Sequence, residues 1–301
     1  MKRLGLILFL AFPLFGASLK FVANAPRQYE FADQAVLPPT FGTGEFTMSL
    51  WIKPDASFKP GETERGTIGQ LTNWSEADSR PYGSHGWWYG GNWLLDGHSR
   101  PNGFNGGDSR AGTFSLQLFG GGRLRWTFAD DDRIVPVGMV WAVQPAPAKT
   151  APSLLDDRWH HVACVRRWAE PSGATLELWI DGRLIASTSI PQRVNMRKYW
   201  DSVPHPNDPK ELGGWSWGAE VMTAWDYYFT QYEDYKGLMD ELRFYDRALT
   251  PEELAAQKAE PRGLVGRFAF DEGKGDVARD SVDAKRTMTL HRMQWSGEEA
   301  P

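Results

Sequence analysis

The feature that most constrains this chain is an alternation of apolar and polar residues with period two. It recurs at 46–54 (FTMSLWIKP), 113–120 (TFSLQLFG), 123–130 (RLRWTFAD), 159–168 (WHHVACVRRW) and 174–182 (ATLELWIDG), each rich in β-branched and aromatic residues and bounded by Gly, Pro or Asp. Side chains leave a strand on alternate faces, so each segment has one face to bury and needs a second apolar layer to cover it. The Gly run at 120–122 and the pair Asp181-Gly182 mark tight turns between neighbouring strands, since such turns require positive φ angles. Only 250–257 has a helical start: Thr250 as cap, Pro251 at the first helical position and Glu253 completing a capping box. Strands throughout with one short surface helix predict an all-β, two-sheet antiparallel sandwich.

With 301 residues, 41% hydrophobic, the chain is long enough to bury a large core. A net charge of −5 gives no positive field to hold a phosphate backbone, which argues against a nucleic-acid partner. Met1, Lys2 and Arg3 precede an apolar run from Leu4 to Phe15 broken by Gly5 and Pro13, the pattern of a secretory signal peptide. That run is too short to span a bilayer, and no other segment resembles a membrane span. Cleavage after Ser18 puts Gly16 and Ser18 at the small-residue positions, whereas cleavage after Ala17 puts bulky Phe15 there, so residues 1–18 are expected to be removed. The expected destination is the periplasm or the medium, and no cysteine near the cut offers a lipid anchor. Cys164 is the sole cysteine, which rules out an intramolecular disulfide and reads as a small buried hydrophobe.

Three segments carry a family resemblance: FTMSLWIKP; DDRWHHVACVRRW followed by TLELWIDGRLIAS; and YKGLMDELRFYDRALTPEEL. In this order they resemble the laminin G-like domains of the concanavalin A-like lectin and glucanase superfamily, in its exported bacterial form. The third is similar to that family's terminal signature at Gly237, Asp240, Glu241, Tyr245, Ala248, Leu249 and Glu253. The resemblance implies a jelly-roll sandwich over 19–258 with two long insertions. The tail at 259–301 contains GLVGRFAFDEGKGDVARDSV, similar to the piece that commonly opens such domains. Its Phe268 and Phe270 need cover, so these strands are expected to return to the same sandwich.

Catalysis finds little support in the residues. Glucanases of this fold use an E-x-D-x-x-E strand, which is absent, and Asp240 and Glu241 are neighbours whose side chains would leave opposite faces of a strand. Sugar binding asks for less: aromatic rings stack on the C–H faces of pyranoses while short polar side chains bond the hydroxyls. Fifteen Trp residues make such surfaces available. One cluster is Trp87, Trp88, Tyr89, Asn92, Trp93 and Asp96, with His98 close by; the other is Trp215, Trp217, Trp225, Asp226 and Tyr228. They lie in two stretches that break the strand rhythm, 74–112, rich in Gly, Ser, Asn and Trp, and 195–235, rich in Trp, Tyr, Pro and Asp, and long loops in a compact domain are usually functional. The resemblance also implies a structural calcium ion, with Asp240 and Asn24 as ligands. The expected function is therefore binding of a glycan or polysaccharide. The alternatives are a polysaccharide-degrading hydrolase or lyase, and a domain that engages a cell-envelope protein.

Overall fold

A computed structural model describes residues 16–22, 30–34, 36–59, 92–97, 114–119, 121–130, 138–143, 153–190, 193, 215–218, 235–257 and 260–301. The strands are β1 (Ser18–Val22), β2 (Phe31–Gln34), β3 (Phe46–Pro54), β4 (Asn92–Gly97), β5 (Phe114–Phe119), β6 (Arg123–Asp130), β7 (Gly138–Val143) and β8 (His160–Ala169). They continue with β9 (Gly173–Ile180), β10 (Arg183–Ile190), β11 (Trp215–Trp217) and β12 (Lys236–Tyr245), and after one helix, Pro251–Ala256, with β13 (Leu264–Phe268), β14 (Val277–Arg279), β15 (Thr287–His291) and β16 (Gln294–Ser296). The first sheet runs β10-β9-β8-β3-β12-β1-β16, with β13 also paired to β12; the second runs β14-β15-β2-β11-β4-β5-β6-β7. All pairings are antiparallel.

The period-two pattern sets which side chains meet between the sheets. Met48, Leu50 and Ile52 of β3, Val162 and Cys164 of β8, and Leu176 and Leu178 of β9 share one core with Leu116 and Leu118 of β5 and Leu124 and Trp126 of β6. Aromatic rings fill its centre, with Phe41 4.7 Å from Phe46, 5.0 Å from Phe244 and 5.7 Å from Trp215 between centroids. Edge-to-face and tilted contacts of this kind add to the area term.

The other face of the first sheet is closed by the helix. Ala163, Val165, Trp179 and Tyr245 pack there with Ala248, Leu249 and Leu254 in a second apolar cluster. Thr250 caps the helix, and its capping box with Glu253 is complete. The β9–β10 turn fits beneath: Asp181 and Gly182 have φ of 51° and 72°, and a β-carbon on Gly182 would stand 2.9 Å from the Ala255 Cα.

The residues after the helix join both sheets. Strand β13 pairs with β12, β14 and β15 extend the second sheet beside β2, and β16 pairs with β1. Phe268, Phe270, Met288 and Leu290 thereby enter the main core. Asp280 organises this segment, accepting from the backbone N–H of Arg267 (3.0 Å) and Val282 (2.8 Å) and from Arg286 Nε (2.7 Å).

Candidate functional site

The fold pairs one strand from each of the two Trp-rich stretches. Strand β4 belongs to the first and β11 to the second, and they are hydrogen-bonded neighbours, Ser216 opposite Asp96 and Trp217 opposite Leu95. On its other side β11 pairs with β2, Ser216 opposite Asp33. Register then sets a row of short polar residues across the second sheet: Thr289, Asp33, Ser216, Asp96, Ser115 and Thr127. Of these, Thr289 and Asp33 are opposed across β15 and β2, and opposed residues of an antiparallel pair share one side of the sheet.

That side is the one turned from the core. Leu116, Leu118, Leu124 and Trp126 belong to the core, so by strand alternation Gln117 and Arg125 take the opposite face. Both are nonetheless buried, and Arg125 Nε donates to Gln117 Oε1 at 2.8 Å. Burial lowers the Arg125 guanidinium to about 10.

Individual aromatic residues fall differently from the sequence expectation. Trp215 and Trp217 are 1% and 2% exposed and belong to the core, so these two are corrected from ligand-binding to structural residues. The reason is strand parity: Trp215 and Trp217 stand two residues apart in the three-residue β11, so both rings take the same face, the one turned to the core. Trp217 Nε1 donates to Gln34 Oε1 at 3.0 Å, which satisfies one buried polar group with another. Asn92, Trp93 and Asp96 occupy register positions in β4 opposite β5. Trp87, Trp88, Tyr89, His98, Trp225, Asp226, Tyr228 and Asn24 lie outside the described residues.

The signature acids hold the fold. Asp240 is 1% exposed; Oδ1 accepts from the Glu241 N–H at 2.8 Å and Oδ2 from the Ala300 N–H at 2.9 Å. Burial pushes its carboxyl up to about 7 against these bonds. A carboxylate committed to backbone N–H groups does not fit the open oxygen-rich shell that calcium takes. Among the described residues no three His, Cys, Asp or Glu side chains could hold a metal together. Glu241, at φ 50° in a bulge of β12, is bonded by Arg243 Nε (3.1 Å) and Arg267 Nε (2.9 Å). Burial alone would raise its carboxyl, but the two guanidinium groups hold it below the usual range. The strained bulge turns Glu241 onto this pair, a use that residue spacing alone does not reveal.

The adjacent histidines have separate tasks. His160 Nδ1 lies 2.8 Å from Asp181 and Nε2 3.0 Å from Asp156. The His161 ring packs at a tilt 5.3 Å from Trp51, and burial lowers its imidazole to about 4, so it is neutral. Cys164 is buried, and burial raises its thiol well above the ordinary value, which makes it inert as a nucleophile.

Two antiparallel sheets sharing one core, one of them closed on its other face by a helix, define a lectin-type β-sandwich. The family model described as the concanavalin A-like lectin/glucanases superfamily matches residues 95–255, more than half of the chain, and the chain belongs to that superfamily. Among solved structures it is similar to a candidate carbohydrate binding protein from Bacteroides ovatus, with 14% identity and a TM-score of 0.51 over 95% of this chain. The chain spans 61% of that protein's length. It is also similar to a heptameric SAP-like pentraxin from Limulus polyphemus (13% identity, TM-score 0.45, covering 94% of this chain and 98% of the pentraxin). Domains LG4-5 of the mouse laminin α1 chain give 11% identity and a TM-score of 0.42, covering 83% of this chain and 45% of that one. No curated protein matches the sequence.

Proposed function

We propose that this protein is an exported glycan-binding module that takes a polysaccharide at the part of the second sheet where β4 and β11 adjoin. The observation that carries the reading is the pairing of β4 with β11, which makes neighbours of two Trp-rich segments over a hundred residues apart. On this reading Trp87, Trp88, Tyr89, Trp93, Trp225 and Tyr228 supply stacking rings. Asn92, Asp96 and Asp226 bond sugar hydroxyls, and Trp215 and Trp217 anchor the strand from below. The carbohydrate-binding name of the Bacteroides ovatus protein that shares the fold points the same way.

Affinity electrophoresis through gels containing a panel of polysaccharides tests this. Mobility should fall for a narrow class of polymer, and Trp88→Ala or Trp225→Ala should weaken that retardation at least about tenfold, as loss of a stacked ring does. Unchanged mobility of the wild-type chain across the panel would overturn the reading. Running each gel with calcium and with chelator reads separately whether the ion implied by the resemblance takes part.

A further inference from the structure

Ser18 opens β1 without solvent exposure, and Leu19 and Phe21 behind it enter the core. The strand lies between β12 and β16, Leu19 opposite Met239 and Ser18 opposite Ser296. Continuing the β12 register by one residue sets Ser18 opposite Asp240. Beyond that point the same edge of β12 is occupied by β13, whose Phe268 pairs with Leu242. A chain running back from Ser18 therefore has no place along β12 and must leave the sheet there.

The C-terminal tail closes over the same spot. Ser18 Oγ donates to the Glu298 carbonyl at 2.7 Å, and Ala300 N–H donates to Asp240 Oδ2 at 2.9 Å. A β-carbon on Gly16 would collide with the Glu299 carboxylate. Asp240 is thus a buried acid whose partners are two backbone N–H groups, and among the described residues no cation pairs with it. An ionised carboxylate in such a place is costly unless a counter-charge reaches it.

We propose that the leader is cut between Ala17 and Ser18 and that the α-ammonium of Ser18 then pairs with Asp240, so that processing itself supplies the counter-ion and latches the first strand to the tail. Hydrolysis of the Ala17–Ser18 amide takes up one water, leaving a carboxylate on Ala17 and an amine on Ser18. That amine binds a proton at neutral pH, its ordinary pKa being about 8. A cut after Ser18, which the small-residue pattern favours, would delete the residue that pairs with Ser296 and would put the charge on Leu19, a core side chain. Ala17 satisfies the peptidase preference before the cut, and Phe15 is the departure from it.

The inference rests on the export reading, and two measurements separate them. Expression of the full precursor in a bacterial host, with intact mass and N-terminal sequencing of the exported chain, should return Ser18 as the first residue. A start at Leu19 overturns the inference and leaves export standing; a chain kept inside with its leader intact overturns both. The latch is read from thermal melts of chains starting at Ser18, with the amine free or acetylated. Acetylation should lower Tm on the order of 2–4 °C, and a chain starting at Ala17, with its charge one residue out of register, should show the same loss. In Asp240→Asn the acetylation effect should vanish. Equal melting of the free, acetylated and Ala17-start chains would overturn the latch.

Discussion

His160 is held between two carboxylates, and this makes part of the fold's stability depend on pH. Burial opposes the imidazolium, but the hydrogen bonds it donates to Asp181 and Asp156 outweigh this and raise the pKa. A raised histidine contributes its full stabilisation below the ordinary value near 6.5 and loses it as pH climbs through the higher folded value. His160→Asn should therefore destabilise by about 1 kcal/mol more at pH 6 than at pH 9, in urea titrations at each pH; an equal loss at both would contradict the charged pair. Two tryptophans give a sharper contrast. Trp215→Ala empties a core position and should cost about 3–5 kcal/mol of unfolding free energy, while on the proposed function Trp88→Ala should weaken polysaccharide retardation at least about tenfold. At this scale the sequence identified residue type and not direction. Trp215 and Trp88 look alike in a Trp-rich stretch, and it is the parity of β11, fixed by its neighbours, that turns the former inward.

Turn chemistry and capping were legible at the scale of elements because both are local. The Asp181-Gly182 pair turns β9 into β10, and the box of Thr250 and Glu253 starts the helix where the spacing predicts it. Gly182→Ala should be among the most damaging substitutions outside the core, since it meets both a φ of 72° and the backbone of Ala255; a loss above about 1 kcal/mol is expected in chemical denaturation. Thr250→Ala should cost about 1 kcal/mol through loss of the cap, with Thr250→Ser restoring most of it. Strands β4 and β11 are among the elements that local pattern missed, with β1, β2 and β7. A three-residue strand has too little alternation to announce itself, and β11 exists because β2 and β4 offer their hydrogen-bonding edges on either side.

Across the whole molecule, the last forty residues bind the two sheets into one body. They add a strand to β12, two strands beside β2 and a strand to β1, and they place Phe268, Phe270, Met288 and Leu290 in the shared core. A chain ending at residue 262 should consequently lose its cooperative melt and bind a hydrophobic dye; a sharp transition in that truncation would show that the earlier strands suffice alone. The amino-acid sequence by itself determined the class of fold, the core faces of its long strands, the turn, the cap and the superfamily, because alternation, positive-φ pairs and capping residues act over a few neighbouring positions. Only the tertiary structure decided that β4 and β11 adjoin, that Trp215 and Trp217 are core, that Asp240 is spent on backbone N–H groups beside the first strand, and that Glu241 bridges Arg243 and Arg267. Each of these depends on register between segments remote in the chain, and a pairing shifted by one residue would turn every side chain involved to the opposite face.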